Sequence, residues 1–298
     1  MNVMKHPYKT REGGATVTIF VPYDCKNNCP FCINKEEYAD TTGFSLEKIC
    51  QSIRRMDAIT PNCDFVLTGG EPFANLTALQ TILDAIPPTH KIYINTTLPV
   101  SVHQSEADIL AFVNRNQAKL SCINISRHLQ KYVVESNDSL LARLPVPFRI
   151  NCVLYQNDVL KDLTPYLERF HNIPGASIQF RFDYTATTPD NLYDAGNDPI
   201  FQNLQRVASY TGLDGCRMRC GFHFDYNGME LTYHKTLPYS TIEEVDPVNG
   251  IVYDILYDIL IKQNGDIHSD WTGTLLDIDA YARVTFEPYD LKWLKWIA

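Results

Sequence analysis

Between residues 16 and 182 short apolar runs and amphipathic stretches alternate six times, and this alternation restricts the chain more than any other feature. Runs rich in β-branched and aromatic residues stand at 16–21, 64–68, 91–97, 119–126, 148–154 and 176–182 and read as strands. Helical spacing lies between them. Leu46, Ile49, Ile53 and Met56 follow a capping Ser45, and Leu76, Leu79, Ile82, Leu83 and Ile86 follow a capping Asn75. Residues 106–114 and 159–170 read as further helices, and 138–144 as a short one. Strands alternating with helices form right-handed crossovers and a parallel sheet. The expected fold class is α/β, with the strands curved into a partial (βα)6 barrel and functional groups gathered at their C-terminal ends.

The texture changes after about residue 190. A helix is expected over 198–210. A hairpin follows over 222–233, turning at Asn227-Gly228, the strongest short hairpin signal. A two-residue turn opposes Tyr226 to Met229, Phe224 to Leu231 and Phe222 to Tyr233, all on one face, with His223 opposite Thr232 and Asp225 opposite Glu230. A second turn at Asn264-Gly265 joins 255–262 to 267–271. The expected organisation is a lead-in (1–14), a barrel (15–190) and a smaller β-rich C-terminal extension (191–298).

At the end of the first strand stand Cys25, Cys29 and Cys32, spaced C-x3-C-x2-C. Three thiolates from one tight loop suit an iron–sulfur cluster, which cysteine thiolates hold. With four irons and three protein ligands, one iron stays open for chemistry. A zinc site is the rival, but structural zinc takes four ligands and no His or Cys follows Cys32 closely. At the end of the second strand stand Gly69, Gly70, Glu71 and Pro72, whose glycines let backbone carbonyls approach a ligand.

These two motifs, in this order, resemble those of the radical S-adenosylmethionine (SAM) superfamily, including the aromatic Phe31 before the last cysteine. The resemblance covers roughly residues 15–185. It implies a 4Fe–4S cluster on Cys25, Cys29 and Cys32, with SAM chelated at the open iron and cleaved to a 5′-deoxyadenosyl radical. It implies cofactor contacts from Phe31, from Gly69, Gly70, Glu71 and Pro72, and from polar residues at later strand ends: Asn95, Thr96, Ser126, Arg127, Asn151 and Arg181. An oxygen-sensitive enzyme with a flavodoxin or ferredoxin electron donor is implied, its reaction subclass left open.

The other cysteines divide into two groups. Cys50, Cys63, Cys122 and Cys152 sit singly among apolar neighbours and read as small buried hydrophobes. Cys216 and Cys220 are spaced by one helical turn. They read as ordinary thiols, with Cys220 a candidate hydrogen-atom donor. A zinc site with His223 and His234 is disfavoured by the hairpin pairing. His128 reads as solvated or structural rather than catalytic.

The chain carries 26 basic and 35 acidic residues, a net −9, which argues against nucleic acid, since such affinity leans on phosphate neutralisation. Nine cysteines without a secretory signal do not read as a disulfide framework, and no apolar run reaches membrane-spanning length. A cytoplasmic protein is expected. A small-molecule substrate (a nucleotide, sugar or amino-acid derivative) is favoured over a peptide or protein target such as a glycyl-radical enzyme. A non-enzymatic iron–sulfur redox or sensor protein is the reading from another class.

Overall fold

The computed structural model describes residues 7–10, 15–21, 25–32, 34, 43–60, 63–101, 104–182, 198–213, 221–234, 241–246, 248–256 and 258–269. In chain order the first elements are β1 (Tyr8–Thr10), β2 (Thr16–Val21), α1 (Leu46–Ile59), β3 (Asp64–Gly69), α2 (Leu76–Ala85), β4 (Ile92–Thr96), α3 (Glu106–Asn116), β5 (Leu120–Ser126), α4 (Asp138–Leu141) and β6 (Phe148–Leu154). Then come α5 (Thr164–His171), β7 (Ile178–Phe182), α6 (Pro199–Val207), β8 (Ser209–Leu213), β9 (Gly221–Tyr226), β10 (Met229–His234), β11 (Thr241–Val245), β12 (Val252–Leu256), β13 (Asp258–Ile261) and β14 (Ile267–His268). Short 3-10 turns occupy Pro72–Ala74 and Gln156–Leu160. No helix among the described residues is long and apolar enough to cross a membrane.

The chain divides into two compact units. The first comprises Met1–Asp24, Glu37–Tyr93 and Tyr239–Ala298. Its β2 pairs in parallel with β3 on one side and with β13 on the other, where Ile19 meets Ile261. Thr18 Oγ1 donates to Asp258 Oδ1 across that second pairing at 2.9 Å. Helix α1 connects β2 to β3 and buries Ile49, Ile53 and Met56, while Ser45 caps it by accepting the Lys48 N–H. Helix α2 packs beside α1 and buries Leu79, Ile82 and Leu83 under the Asn75 cap. A separate sheet joins β1 to β12 in parallel and β12 to β11 antiparallel.

The Asn264-Gly265 turn closes β13 onto β14 through a three-residue loop rather than a two-residue one. Lys262 N–H donates to Asp266 O and Gly265 N–H to Lys262 O, with Gly265 at φ 86°. This loop sits on α1: Ser45 N–H donates to Gln263 O at 2.9 Å, and Ser52 Oγ to Gly265 O at 2.6 Å.

The second unit comprises Cys25–Glu36 and Ile94–Pro238. Its strands run in the order β5-β6-β7-β10-β9-β8, parallel from β5 through β7 to β10 and antiparallel thereafter. Residues 191–298 therefore supply strands to both units, β10 against β7 and β13 against β2. Both units are mixed α/β, and neither run of described strands closes on itself.

The expected hairpin register is the observed one, residue for residue from Phe222↔Tyr233 to Tyr226↔Met229. All six of its apolar residues are buried, and Asn227 and Gly228 take the positive φ values the turn needs, 51° and 90°. Two expected helices differ. The one over 159–170 starts only at Thr164: Asp162 Oδ1 accepts the Thr164 N–H and Pro165 occupies the first turn, so 156–160 forms a separate 3-10 turn. The one over 198–210 stops at Val207, because Ala208 is extended and Tyr210 enters β8, edge-on to Phe201 and Phe224.

Candidate functional site

The cysteine loop belongs to the second unit. Cys25, Cys29 and Cys32 are free thiols of intermediate exposure. Pro30 fixes the backbone at the second position of a turn that Cys32 N–H closes onto Cys29 O at 3.3 Å. The segment after β5 receives this loop. Asn28 N–H and Cys29 Sγ both reach Tyr132 O, at 3.3 and 3.9 Å, and Val134 N–H donates to Asn27 Oδ1 at 2.8 Å. The Phe31 ring stands edge-on to His128 and Tyr132, with centroids 4.9 and 5.4 Å away, and tilted to Tyr155 at 5.7 Å. His128 follows β5 by two residues and Tyr155 directly follows β6, so the loop is anchored at the C-terminal ends of both strands.

The receiving segment is held in turn by polar contacts. His128 is buried, and its Nδ1 accepts the Val153 N–H at 3.2 Å, which leaves the ring proton on Nε2. Burial pushes its pKa down to about 4, against the opposing charge of Asp158. Asp158 is fully buried, and its Oδ1 accepts from Gln130 Nε2 at 2.8 Å and pairs with Lys161 Nζ at 2.5 Å.

Three thiols on one loop are the soft donor set an iron–sulfur cluster takes, and none is consumed in a disulfide. Among the described residues no three His, Cys, Asp or Glu side chains gather around a single metal ion. A cubane does not require that, since each thiolate takes a different iron. The loop fits the cluster.

Gly69, Gly70, Glu71 and Pro72 belong to the first unit. Gly69 pairs with Val21 at the end of β3 and has φ 110°, a conformation that favours glycine. Glu71 is buried, and its Oε1 accepts the Phe73 N–H at 3.1 Å, capping the 3-10 turn that Pro72 begins.

The remaining expected positions lie in the second unit and fall on two sides of its sheet. Strand β6 alternates buried and half-buried residues, placing Arg149, Asn151 and Val153 on one face. Register extends that face sideways: Ser126, Asn151, Gln179, Thr232 and His223 form one lateral row over five strands. Asn95 joins this face through its Oδ1, which accepts from Asn124 Nδ2 at 2.9 Å. Arg181 donates from Nε to Gln179 Oε1 at 3.2 Å. Thr96 is buried, with its Oγ1 accepting the Leu98 N–H.

Arg127 takes the other side. It is fully buried, with Nη1 on the carbonyls of Thr97 and Ser126 (3.0 and 2.9 Å) and Nη2 on Ser136 Oγ (2.9 Å). The carboxylates of Glu135 and Asp138 lie 3.8 Å from its Nε. Its hydrogen bonds go to the protein's own groups. Arg149, Gln179 and Asn124 were not singled out from the sequence, although their i, i+2 spacing from Asn151, Arg181 and Ser126 was the available signal. Cys216 and Cys220 lie outside the described residues.

Residues 12–117 match the family model of a 4Fe-4S single cluster domain, a stretch that takes in both the three cysteines and Gly69 to Pro72. No curated protein matches the chain. Among solved structures it is similar to one described as native anSMEcpe with bound AdoMet and Cp18Cys peptide, at 16% sequence identity and a TM-score of 0.43. That likeness covers 56% of this chain and 50% of the other, so the chain spans half the length of the protein it matches.

Proposed function

We propose that this chain is a radical SAM enzyme built on a partial (βα)6 barrel. The observation that carries the reading is the three-cysteine loop, anchored at the C-terminal ends of β5 and β6 and lying within the stretch that matches a 4Fe-4S single cluster domain. When bound, the cluster and SAM supply one-electron cleavage of the cofactor to methionine and a 5′-deoxyadenosyl radical, which takes a hydrogen atom from a substrate.

The chain's own residues do the rest. Cys25, Cys29 and Cys32 hold the cluster through their sulfurs. The backbone carbonyls of Gly69 and Gly70, or the side chain of Glu71, would accept from the cofactor's ammonium group, the glycines leaving room for close approach. Phe31 keys the loop into the His128, Tyr132 and Tyr155 rings, and so fixes where the three sulfurs point. Asn95, Ser126 and Asn151 would contact the nucleoside or the methionine carboxylate. Arg127 has no ligand contact in this reading, because its guanidinium is held by carbonyls. Flavodoxin- or ferredoxin-type proteins are the electron donors such chemistry takes.

The test is anaerobic reconstitution with iron and sulfide, followed by dithionite and SAM. The expected product is 5′-deoxyadenosine, with four irons per chain. A fully loaded protein that forms none is an iron–sulfur redox protein, and the radical reading fails.

A further inference from the structure

The segment that receives the cysteine loop is tied down by a buried acid. Asp158 follows β6 in the 3-10 turn at Gln156–Leu160 and has no exposed surface. Another buried acid of the second unit, Asp198, has both oxygens on donors: Oδ1 accepts the N–H groups of Ile200 and Phe201, and Oδ2 the Tyr233 hydroxyl. Asp158 differs. Its Oδ1 accepts from Gln130 Nε2 at 2.8 Å and pairs with Lys161 Nζ, while its Oδ2 is buried and meets no donor among the described residues. The paired cation reaches the surface, with 45% of the Lys161 side chain exposed. An asparagine would hold Gln130 through the same oxygen. What an aspartate adds is a negative charge, kept where desolvating it is costly.

That charge is joined to the thiols by a short run of hydrogen bonds. Gln130 O accepts the Tyr132 N–H at 2.9 Å, and Tyr132 O in turn accepts the Asn28 N–H at 3.3 Å and meets Cys29 Sγ at 3.9 Å. The pKa of the Tyr132 phenol is raised by burial first and then by the charge of Asp158, with Cys29 adding to it, so one side chain feels both groups. The rings packed on Phe31 bring no cation: Tyr132 and Tyr155 are neutral, and burial holds the His128 pKa down at about 4. Lys26 and Lys131 are exposed, where salt screens them, whereas a buried charge is screened much less. A fixed negative charge opposes the arrival of an electron, and net charge, hydrogen bonds and burial set the potential of a cluster.

We propose that Asp158 is a positioning residue whose charge, partly offset by Lys161, lowers the potential at which a cluster on Cys25, Cys29 and Cys32 takes up an electron. The inference rests on the cluster in the radical SAM reading, not on cleavage of the cofactor. A lower potential makes the reduced cluster a stronger reductant, as one-electron cleavage of a sulfonium requires.

The test is a redox titration of the cluster-loaded protein without SAM. Dithionite is oxidised and supplies one electron to each cluster, and the reduced cluster is read by electron paramagnetic resonance. A unit charge about 10 Å from the electron, at an effective dielectric of about 20, changes the reduction equilibrium roughly tenfold, or about 59 mV for one electron. Asp158→Asn, which keeps an acceptor for Gln130, raises the midpoint potential by about that amount. Lys161→Gln lowers it, by less, because water already screens the exposed ammonium. The double variant falls between the two single ones. Asp162→Asn, at an exposed acid close by in sequence, leaves the potential where it was.

A role confined to holding the loop would not give shifts of opposite sign, since loosening the loop moves both variants the same way. Shifts of the same sign, or none in either variant, overturn the proposal. Urea midpoints and iron and sulfide counts equal to wild type certify the variants; if Asp158→Asn loses its cluster, the Lys161→Gln shift decides alone. Opposite shifts in a protein that forms no 5′-deoxyadenosine keep this inference and sink the radical reading, and unmoved potentials in a protein that does form it do the reverse.

Discussion

Arg127→Met is the sharpest probe of how the segment that follows β5 is held. The guanidinium is fully buried, and burial lowers its pKa while Glu135 and Asp138 raise it. Methionine keeps much of the length and apolar volume but removes every donor. The carbonyls of Thr97 and Ser126 and the hydroxyl of Ser136 then lose partners now at 3.0, 2.9 and 2.9 Å. Each buried group left unsatisfied costs about 1–3 kcal/mol. The two carboxylates lose less, because Arg169 still reaches Glu135 at 2.7 Å and Asp138 at 2.7 and 2.9 Å. Part of the loss is offset because a charged group no longer has to be desolvated. The expected destabilisation is about 3–5 kcal/mol, the range for breaking a buried charged network from one side.

Against a total stability of about 5–15 kcal/mol that is a large fraction. With a urea slope of about 3 kcal/mol per molar, the transition moves down by roughly 1–1.7 M. Because the chain has two units, the midpoint is best read by hydrogen exchange of peptides from β5 and β6, which report on the unit concerned. Arg127→Lys restores one donor group on a flexible stem and recovers part of the shift. A midpoint for Arg127→Met within 0.3 M (roughly 1 kcal/mol on that slope) of wild type refutes the reasoning. So does a variant of normal stability that has lost SAM, since the guanidinium would then serve a ligand.

Three further outcomes follow from the geometry. Cys25→Ala, Cys29→Ala and Cys32→Ala each abolish cluster retention, read as iron and sulfide per chain, whereas Cys63→Ala retains the full count. Gly265→Ala destabilises the first unit by about 2–4 kcal/mol, from its positive φ of 86° together with a Cβ only 2.5 Å from Lys48 Cβ. Gly250→Ala, with φ 71° and open space around it, loses only the roughly 1–2 kcal/mol of backbone strain, and equal urea midpoints for the two contradict the clash. His128, depressed from 6.5 to about 4, binds its proton more readily in the unfolded chain. Its contribution is therefore complete above pH 6.5 and is lost as the pH falls toward 4, by about 3 kcal/mol. His128→Asn lacks that part of the acid slope, seen by comparing urea midpoints at pH 7 and pH 4.5.

Local chemistry was legible where a few adjacent residues decide the outcome. Ser45 and Asn75 cap their helices because a short polar side chain can reach the N–H three residues on. Asn227-Gly228 sets a register that six apolar residues then confirm by burial. What could not be read depends on partners far along the chain. The Thr18–Asp258 contact spans 240 residues, and nothing in the alternation of β13 says that it lies beside β2. The ring partners of Phe31 are similarly remote: they come from positions 128, 132 and 155, so its aromaticity was visible but the rings that receive it were not. The split at Thr164 was within reach, because Pro165 belongs in a first helical turn and Asp162 can cap it.

The arginines show how far parity alone can separate charges of the same type. Over the last four residues of β5 the buried ones are Ile123 and Ile125, and the half-buried ones Asn124 and Ser126. Arg127 continues the buried series. It leaves the strand on the side where Tyr166 of α5 donates to its carbonyl at 2.8 Å, and there its guanidinium meets Ser136. Arg149 and Arg181 fall on the opposite series, in register with Asn124 and with Val153. A charge on the buried side must be satisfied by the protein itself, because water is excluded and an unpaired ion there is costly. The same charge on the half-buried face keeps part of its hydration and is less costly to hold. One residue type thus divides between a buried and a half-buried setting according to whether its distance from Asn151 along the register is odd or even.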